Sequence, residues 1–194
     1  ALGDWKAPDN WYQRSIEERN KWDEYVAKES GPTNQELPSY AHAVGAVYRN
    51  SDPSDIVVTA AGGLVGEVVQ IWKPKELNTF ETEWGFSCMS YEISGALGIK
   101  MAKPDQDVIV FVGDGSYLLQ NSDIYSSVLY DKKLIIVVCD NGGHMVINRL
   151  QLAKGGNEYL CNLNAARATN VQFVDFEAHA KSMGANGETV KSIS

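Results

Sequence analysis

The chain has 194 residues, of which 44% are apolar and 22% charged, and its formal net charge at pH 7 is -8. This composition is typical of a globular domain with a buried core. The acidic balance argues against a nucleic-acid-binding surface, which needs clustered Lys and Arg.

The apolar runs of the chain are short. They reach five or six residues, whereas a membrane-spanning helix needs about 20, and residues 1–20 lack the apolar core of a signal peptide. Cys88, Cys139 and Cys161 show no metal-type CxxC spacing, so they are predicted to be free thiols. These features predict a cytoplasmic protein without membrane segments.

Helical patterns dominate the N-terminal part. Residues 15–28 (SIEERNKWDEYVAK) place apolar side chains at helical spacing among charges, which predicts an amphipathic helix. The stretch GPTNQELP breaks it, and SYAHAVGAVYRN predicts a second helix that ends near Asn50. We expect residues 1–37 to form an N-terminal helical linker and residues 38–194 to form the main domain.

Three uninterrupted apolar runs follow, namely IVVTA (56–60), VIVFV (108–112) and LIIVVC (134–139). Such runs, separated by helical stretches, predict a doubly wound α/β fold with a parallel sheet and helices on both faces. Helical spacing over residues 118–129 predicts a right-handed β-α-β unit between the last two strands. Residues 171–176 (VQFVDF) suggest a further strand, and residues 178–183 a helix capped by Gly184.

Glycine-rich turns follow each of these strands. They are Gly62-Gly63, Gly113-Asp114-Gly115 and Asn141-Gly142-Gly143. In a doubly wound sheet, ligands bind in the crevice beyond the carboxyl ends of the strands. The turns are therefore expected to meet at one site.

The polar residues of these turns suggest a metal-bound diphosphate. Asp114, Asn141 and the backbone carbonyl of Gly143 offer three oxygen ligands of low charge, which suit Mg²⁺ or Ca²⁺ bridging a diphosphate. The N–H groups of Gly115 and Ser116 can bind a phosphate. Either motif alone is typical of a simple turn, but the two together, on consecutive strands, favour a binding site.

The pattern GDG, followed some 25 residues later by Asn, resembles the signature of thiamine diphosphate enzymes. Residues 83–116 resemble the segment that supports the cofactor in that family. The resemblance implies that Met89 lies beneath the thiazolium ring and that the Ser87 carbonyl and the Met89 N–H hold the aminopyrimidine. It further implies diphosphate contacts for a set of turn residues: Gly63, Leu64, Gly113, Gly115, Ser116 and Gly143.

Four segments, TAAGGL, NTFETEWGFSCMSYEI, GDGSYLLQNSDIYSSVL and CDNGGHMVINRLQ, resemble the trihydroxycyclohexane-1,2-dione hydrolases of myo-inositol catabolism over residues 38–184. This resemblance implies thiamine diphosphate and Mg²⁺ as cofactors. It also implies a carbon–carbon bond hydrolase that opens the cyclic diketone to 5-deoxyglucuronate. The chain departs from that family at His144, where an aromatic residue is expected, and over residues 155–171. A catalytic role for His144 stays open.

The family's activating glutamate belongs to a pyrimidine-binding domain, usually of the other subunit, and no segment of this chain resembles that domain. We therefore expect a fragment that is inactive alone and a homodimer or homotetramer at full length. Glu81, Glu83 and Glu92 are expected to be solvated or at an interface. Candidates for the partner surface, with core packing as the alternative, are Trp72, Trp84 and Phe86.

Other functions compete with this interpretation. An acetolactate synthase-like carboligase would share every cofactor residue named above. A non-catalytic diphosphate-binding module would keep the fold without the chemistry. A Rossmann dehydrogenase is disfavoured because no GxGxxG follows the first strand.

Overall fold

The structure is a computed structural model that describes residues 3–167 and 173–193. Its centre is a parallel sheet of four strands in the order β2-β1-β3-β4. The strands are β1 (Ile56–Thr59), β2 (Phe80–Thr82), β3 (Val108–Gly113) and β4 (Ile135–Cys139). The register pairs Ile56 with Val108 and Gly113 with Cys139, so the carboxyl ends of β3 and β4 are level.

Helices connect the strands and cover the sheet. Their bounds are α1 (Asp9–Glu29), α2 (Tyr40–Arg49), α3 (Gly62–Ile71), α4 (Tyr91–Ala102), α5 (Asp114–Leu119), α6 (Asp123–Leu129), α7 (Met145–Ala153) and α8 (Phe176–Ser182). In the described part of the chain, no helix is both long and apolar enough to cross a membrane.

Alternate side chains of the strands point to opposite faces, and each face has its own apolar core. Val57, Ile109 and Phe111 pack with residues of α2 and α3. Val58 and Val110 lie on the other face, where they pack with residues of α4, α5 and α6. The prediction of a doubly wound sheet with helices on both faces is therefore confirmed.

The strand order reverses between β1 and β3, because the chain leaves β1 towards β2 on one side and returns to β3 on the other. Such a switch point opens a crevice at the carboxyl ends of the two strands. The turns after β1 and β3, which contain Gly62 and Asp114, flank this crevice.

Several predictions of local structure need correction. The stretch predicted as one helix over residues 118–129 is two short helices, α5 and α6, because Gln120 adopts an extended conformation (φ -154°, ψ 104°). Of the predicted strand VQFVDF, residues 171 and 172 lie outside the described residues. Phe173 to Asp175 are irregular, and Phe176 begins α8.

The helix ends agree better with the sequence. The second helix ends with Asn50 as its C-cap. Gly184 follows α8 with φ +83°, and the Ala185 N–H donates to the Ala180 carbonyl at 3.2 Å, so the predicted glycine stop is present. The three cysteines are free, as predicted, and burial raises the pKa of Cys139 to about 12, which leaves its thiol protonated and inert.

Candidate functional site

A cleft of about 310 Å³ opens at the carboxyl ends of β1, β3 and β4. Every residue that the sequence assigned to the site lines it. These are Gly63, Leu64, Ser87, Met89, Gly113, Asp114, Gly115, Ser116, Asn141, Gly143 and His144. The fold thus brings together residues from four separate segments of the chain, although their individual roles stay predictions.

Asp114 lies at the base of the cleft and is 3% exposed. Its Oδ2 accepts a hydrogen bond from the Gly143 N–H at 2.7 Å, which ties the β3 turn to the β4 turn. Its Oδ1 is buried and has no hydrogen-bond partner among the described residues. Burial raises the pKa of this carboxyl above its ordinary value. A buried carboxylate oxygen without a partner is costly unless a cation or a donor completes it.

Asn141 approaches the same region from the end of β4. Its side-chain amide donates to the hydroxyl of Tyr40, the first residue of α2. This contact uses the nitrogen of the amide and leaves its carbonyl oxygen available as a ligand. Burial raises the pKa of Tyr40, so its hydroxyl stays neutral and can accept this bond.

The turn after β4 is held from outside by residues 161–163. The His144 N–H donates to the Cys161 carbonyl at 2.7 Å, and the Leu163 N–H donates to the Gly142 carbonyl at 2.9 Å. Gly143 has φ +137°, and a Cβ there would collide with the Cys161 carbonyl oxygen. Only glycine fits this position, which fixes the Gly143 N–H against Asp114.

Glycines also leave the backbone of the cleft uncovered by side chains, so a ligand can approach it. A Cβ on Gly62 or Gly113 would meet no atom within 4 Å, so both positions face open space. A Cβ on Gly115 would lie 2.6 Å from Nδ1 of His144, which places that imidazole over the start of α5. The glycine-lined backbone and the unpartnered Asp114 oxygen suit a metal-bound diphosphate, which needs donors and a hard cation ligand side by side.

Among the described residues, no group of three or more His, Cys, Asp or Glu side chains is placed to hold a metal ion. The predicted ligand set contains one carboxylate, one amide and one backbone carbonyl. That set carries a single negative charge and three oxygens, so a divalent metal held there would need further oxygens from a bound phosphate group.

The loop before α4 forms the other wall of the cleft. Ser87 (φ +53°) and Ser90 (φ +81°) both have positive φ, which is uncommon outside glycine. Glu83 stabilises the loop, because its carboxylate accepts from the Phe86 N–H at 3.2 Å and from the Cys88 N–H at 2.8 Å. Met89 is 39% exposed at the cleft, so it is a surface of the site and not a core methionine.

Behind the cleft lies a buried carboxylate, Glu92, whose side chain is fully inaccessible to solvent. Its Oε1 accepts from the Ala61 N–H at 3.3 Å and its Oε2 from the Ser116 hydroxyl at 2.9 Å. The Ser116 hydroxyl oxygen in turn accepts from the Ser90 N–H at 2.7 Å. Glu92 therefore joins three segments that line or support the cleft. The expectation that this glutamate is solvated or at an interface is wrong.

Burial raises the pKa of Glu92 above the ordinary value for glutamate. The folded protein therefore keeps this proton to a higher pH than the unfolded chain does. The destabilising effect of Glu92 is absent below the unfolded pKa of about 4.3 and is complete above the folded pKa.

We expect the variant Glu92→Gln to become more stable, relative to the parent, as the pH rises from 4 to 8. The gain should be about 1.4 kcal/mol for each unit by which folding raises the pKa of Glu92. Urea unfolding at several pH values measures it, with Glu81→Gln as the control that removes an exposed carboxylate. A Glu92→Gln variant that is less stable by the same amount at every pH would contradict this expectation.

Sequence reasoning gave no role to three polar residues at or behind the cleft: Tyr40, Glu92 and Arg149. Glu92 did leave a signal, because it interrupts the otherwise apolar run of α4 (YEISGALGIKMA), whose neighbours Ile93 and Ala96 are buried. Tyr40 and Arg149 lie far along the chain from Asp114, and no local pattern pointed to them. Of the proposed partner-surface residues, Trp84 and Phe86 are exposed, whereas Trp72 is buried against Phe111.

Comparison with known proteins gives a consistent result. The family described as thiamine pyrophosphate enzyme, C-terminal TPP binding domain, matches residues 60–194. A protein of Lacticaseibacillus casei named 3D-(3,5/4)-trihydroxycyclohexane-1,2-dione hydrolase is 43% identical over 143 residues, covering 74% of this chain and 22% of the relative. Proteins of the same name from Halalkalibacterium halodurans and Listeria innocua are each 37% identical, covering 73% and 86% of this chain and 22% and 26% of the relatives.

The chain thus spans about a quarter of the length of these curated relatives. The family match covers well over half of the chain and includes the turns after β1, β3 and β4. The cleft built from those turns therefore belongs to a known architecture, and the chain is a member of the thiamine pyrophosphate enzymes, matching their C-terminal TPP binding domain.

Proposed function

We propose that this chain is the cofactor-binding domain of a thiamine diphosphate-dependent hydrolase that opens trihydroxycyclohexane-1,2-dione to 5-deoxyglucuronate in inositol catabolism. The observation that carries the proposal is the unpartnered, buried Oδ1 of Asp114 in a glycine-lined cleft. The relatives that share the sequence around this cleft are named as hydrolases of that dione. We place the domain at residues 38–194, with residues 1–37 as a helical linker.

In this proposal Asp114, Asn141 and the Gly143 carbonyl hold Mg²⁺. The Asp114 carboxylate supplies the charge, and the Asn141 amide supplies a neutral oxygen while Tyr40 orients it. The N–H groups of Gly115 and Ser116, with the backbone at Gly63, Leu64 and Gly113, bind the diphosphate. Glu92 keeps the Ala61 and Ser116 segments at a fixed separation through its two hydrogen bonds.

The opposite wall positions the organic part of the cofactor. Met89 offers an apolar support for the thiazolium ring, and the Ser87 carbonyl and the Met89 N–H hold the aminopyrimidine edge. The cofactor, when bound, supplies an electron sink for cleaving the carbon–carbon bond next to a carbonyl. The protein's part is to bind and orient that cofactor and to exclude water from it.

No glutamate lines the cleft among the described residues. Glu92 is engaged with Ala61 and Ser116 behind it. We therefore propose that the activating glutamate comes from the pyrimidine-binding domain of a second subunit, in a cytoplasmic homodimer or homotetramer. The exposed side chains of Trp84 and Phe86 are candidates for that contact. It follows that the isolated chain is inactive.

Substrate choice tests this proposal. The complete subunit that contains this domain, supplied with thiamine diphosphate and Mg²⁺, is expected to convert the cyclic dione to 5-deoxyglucuronate and to leave pyruvate unchanged. Product analysis by mass spectrometry measures both reactions. The 194-residue chain alone should show no turnover above the background of heat-treated protein.

Other outcomes would replace the proposal. Acetolactate formation from pyruvate without dione hydrolysis would identify a carboligase, which shares the same cofactor residues. Tight binding of thiamine diphosphate without turnover of either substrate would identify a diphosphate-binding module. Appreciable dione hydrolysis by the isolated chain would contradict the need for a second subunit.

A further inference from the structure

Arg149 is the one lysine or arginine among the described residues that line the cleft. It extends from α7, the helix that follows the turn after β4. Its side chain is exposed and forms no ion pair with any described residue. An arginine that lines a cleft without an internal partner is available to a ligand.

The guanidinium lies against the turn after β1. A methyl group on Gly63 would lie 2.6 Å from Nη2 of Arg149, so the guanidinium occupies the space that a side chain at Gly63 would fill. Arg149 therefore reaches over the backbone that begins α3. Gly62, Gly63 and Leu64 line the cleft, and the N–H groups in the first turn of a helix have no partner within the helix.

The turn itself offers no polar side chain to a phosphate. Residues 61–66 read AGGLVG, and the N-cap position, Ala61, provides no side-chain cap. The turn after β3 adds the Asp114 carboxylate, which repels an anion unless a metal intervenes. A diphosphate and Asp114 together bear more negative charge than one divalent ion offsets. A further cation would offset part of the remaining charge, and Arg149 is placed to supply it.

We infer that Arg149 binds the diphosphate group of the cofactor through the opening at Gly63. This inference rests on the proposed function and adds a cofactor-binding residue to it. A guanidinium suits the task, because its planar fork of N–H donors matches two phosphate oxygens at once. Arg149 acts together with the N–H groups of α3 and supplements the proposed metal ligands Asp114 and Asn141.

The test is a calorimetric titration of the complete subunit at saturating Mg²⁺, with thiamine diphosphate and with inorganic pyrophosphate as the ring-free probe. Charge-assisted hydrogen bonds contribute about 1.5–3 kcal/mol, so Arg149→Gln is expected to weaken both ligands by about 10- to 100-fold. Arg149→Lys keeps the charge but loses the fork and should fall between the parent and Arg149→Gln.

The matched control is Lys154→Gln, which removes an exposed cation from the end of the same helix and does not line the cleft. It should leave both affinities unchanged. Unchanged affinities in Arg149→Gln would overturn the inference, as would a loss confined to thiamine diphosphate, since pyrophosphate shares only the diphosphate group. A parent protein that binds neither ligand would instead overturn the proposed function itself.

Discussion

Replacing Asp114 by asparagine is expected to abolish the magnesium-dependent binding of thiamine diphosphate. The variant keeps an oxygen that can accept from the Gly143 N–H, so the bond between the two turns survives. It loses the one carboxylate that lines the cleft among the described residues. Loss of a residue that only orients a metal ligand costs about 10- to 100-fold in metal affinity. Loss of the charged ligand should therefore cost about 100-fold or more.

The free energy of unfolding separates this effect from misfolding. Burial raises the pKa of Asp114, so the ionised carboxylate is unfavourable in the metal-free fold. Asp114→Asn is therefore expected to unfold no earlier than the parent in the absence of Mg²⁺, while a calorimetric titration shows no cofactor binding. A variant that binds the cofactor as the parent does would refute the assignment of Asp114 as a metal ligand.

Asp140→Asn is the matched control for this experiment. Asp140 is an exposed neighbour that accepts a hydrogen bond from the Gly142 N–H at 3.0 Å and does not line the cleft. Its replacement removes the same charge close to the site without touching the predicted metal ligands. We expect cofactor affinity within about twofold of the parent, since exposed charges contribute little. An equal loss in both variants would point to a general electrostatic effect.

The second large effect is expected from Gly143→Ala. The φ of +137° lies in a region that alanine rarely adopts, and the new methyl group would collide with the Cys161 carbonyl oxygen. The turn must move, which breaks the hydrogen bond from the Gly143 N–H to Asp114. It also breaks the backbone hydrogen bonds between this turn and residues 161–163. We expect a loss of about 2–4 kcal/mol in the free energy of unfolding. Cofactor affinity should fall by more than about tenfold, since two ligands shift together.

Gly142→Ala provides the comparison. Gly142 has φ +77°, but a Cβ there would meet no atom within 4 Å. This variant should lose only the cost of a left-handed conformation, about 1 kcal/mol. Urea unfolding of both variants, with titration of the cofactor, measures the difference. Equal stability of the two variants would show that the contact with Cys161 does not constrain the turn.

Much of the fold could be predicted because strands and turns depend mainly on residues that are neighbours in the sequence. The apolar runs of β1, β3 and β4 can be buried only in a sheet covered on both faces, and glycines mark where each strand ends. The parallel arrangement then places all these ends at one edge. That is why the sequence predicts Asp114, Asn141 and Gly143 at one site, and all three line the same cleft.

Local patterns failed where the outcome depended on contacts between distant segments. The break between α5 and α6 leaves no strong signal, since residues 120–122 carry no glycine or proline. Trp72 could be an interface or a core residue, and its contact with Phe111 decides for the core. An isolated tryptophan gives no indication of which surface will cover it.

The sequence by itself determined the class of the fold, the edge of the sheet where the cleft opens and the residues of its glycine-rich turns. Periodicity and backbone freedom are local properties, and they follow from neighbouring residues. Only the tertiary structure decided that Glu92 is buried behind the cleft, that Tyr40 orients Asn141 and that Arg149 reaches Gly63. The hydrogen bond between Ser116 and Glu92 joins residues 24 positions apart, and the one between Asn141 and Tyr40 joins residues 101 positions apart. Only the packing of whole helices and strands brings such residues together.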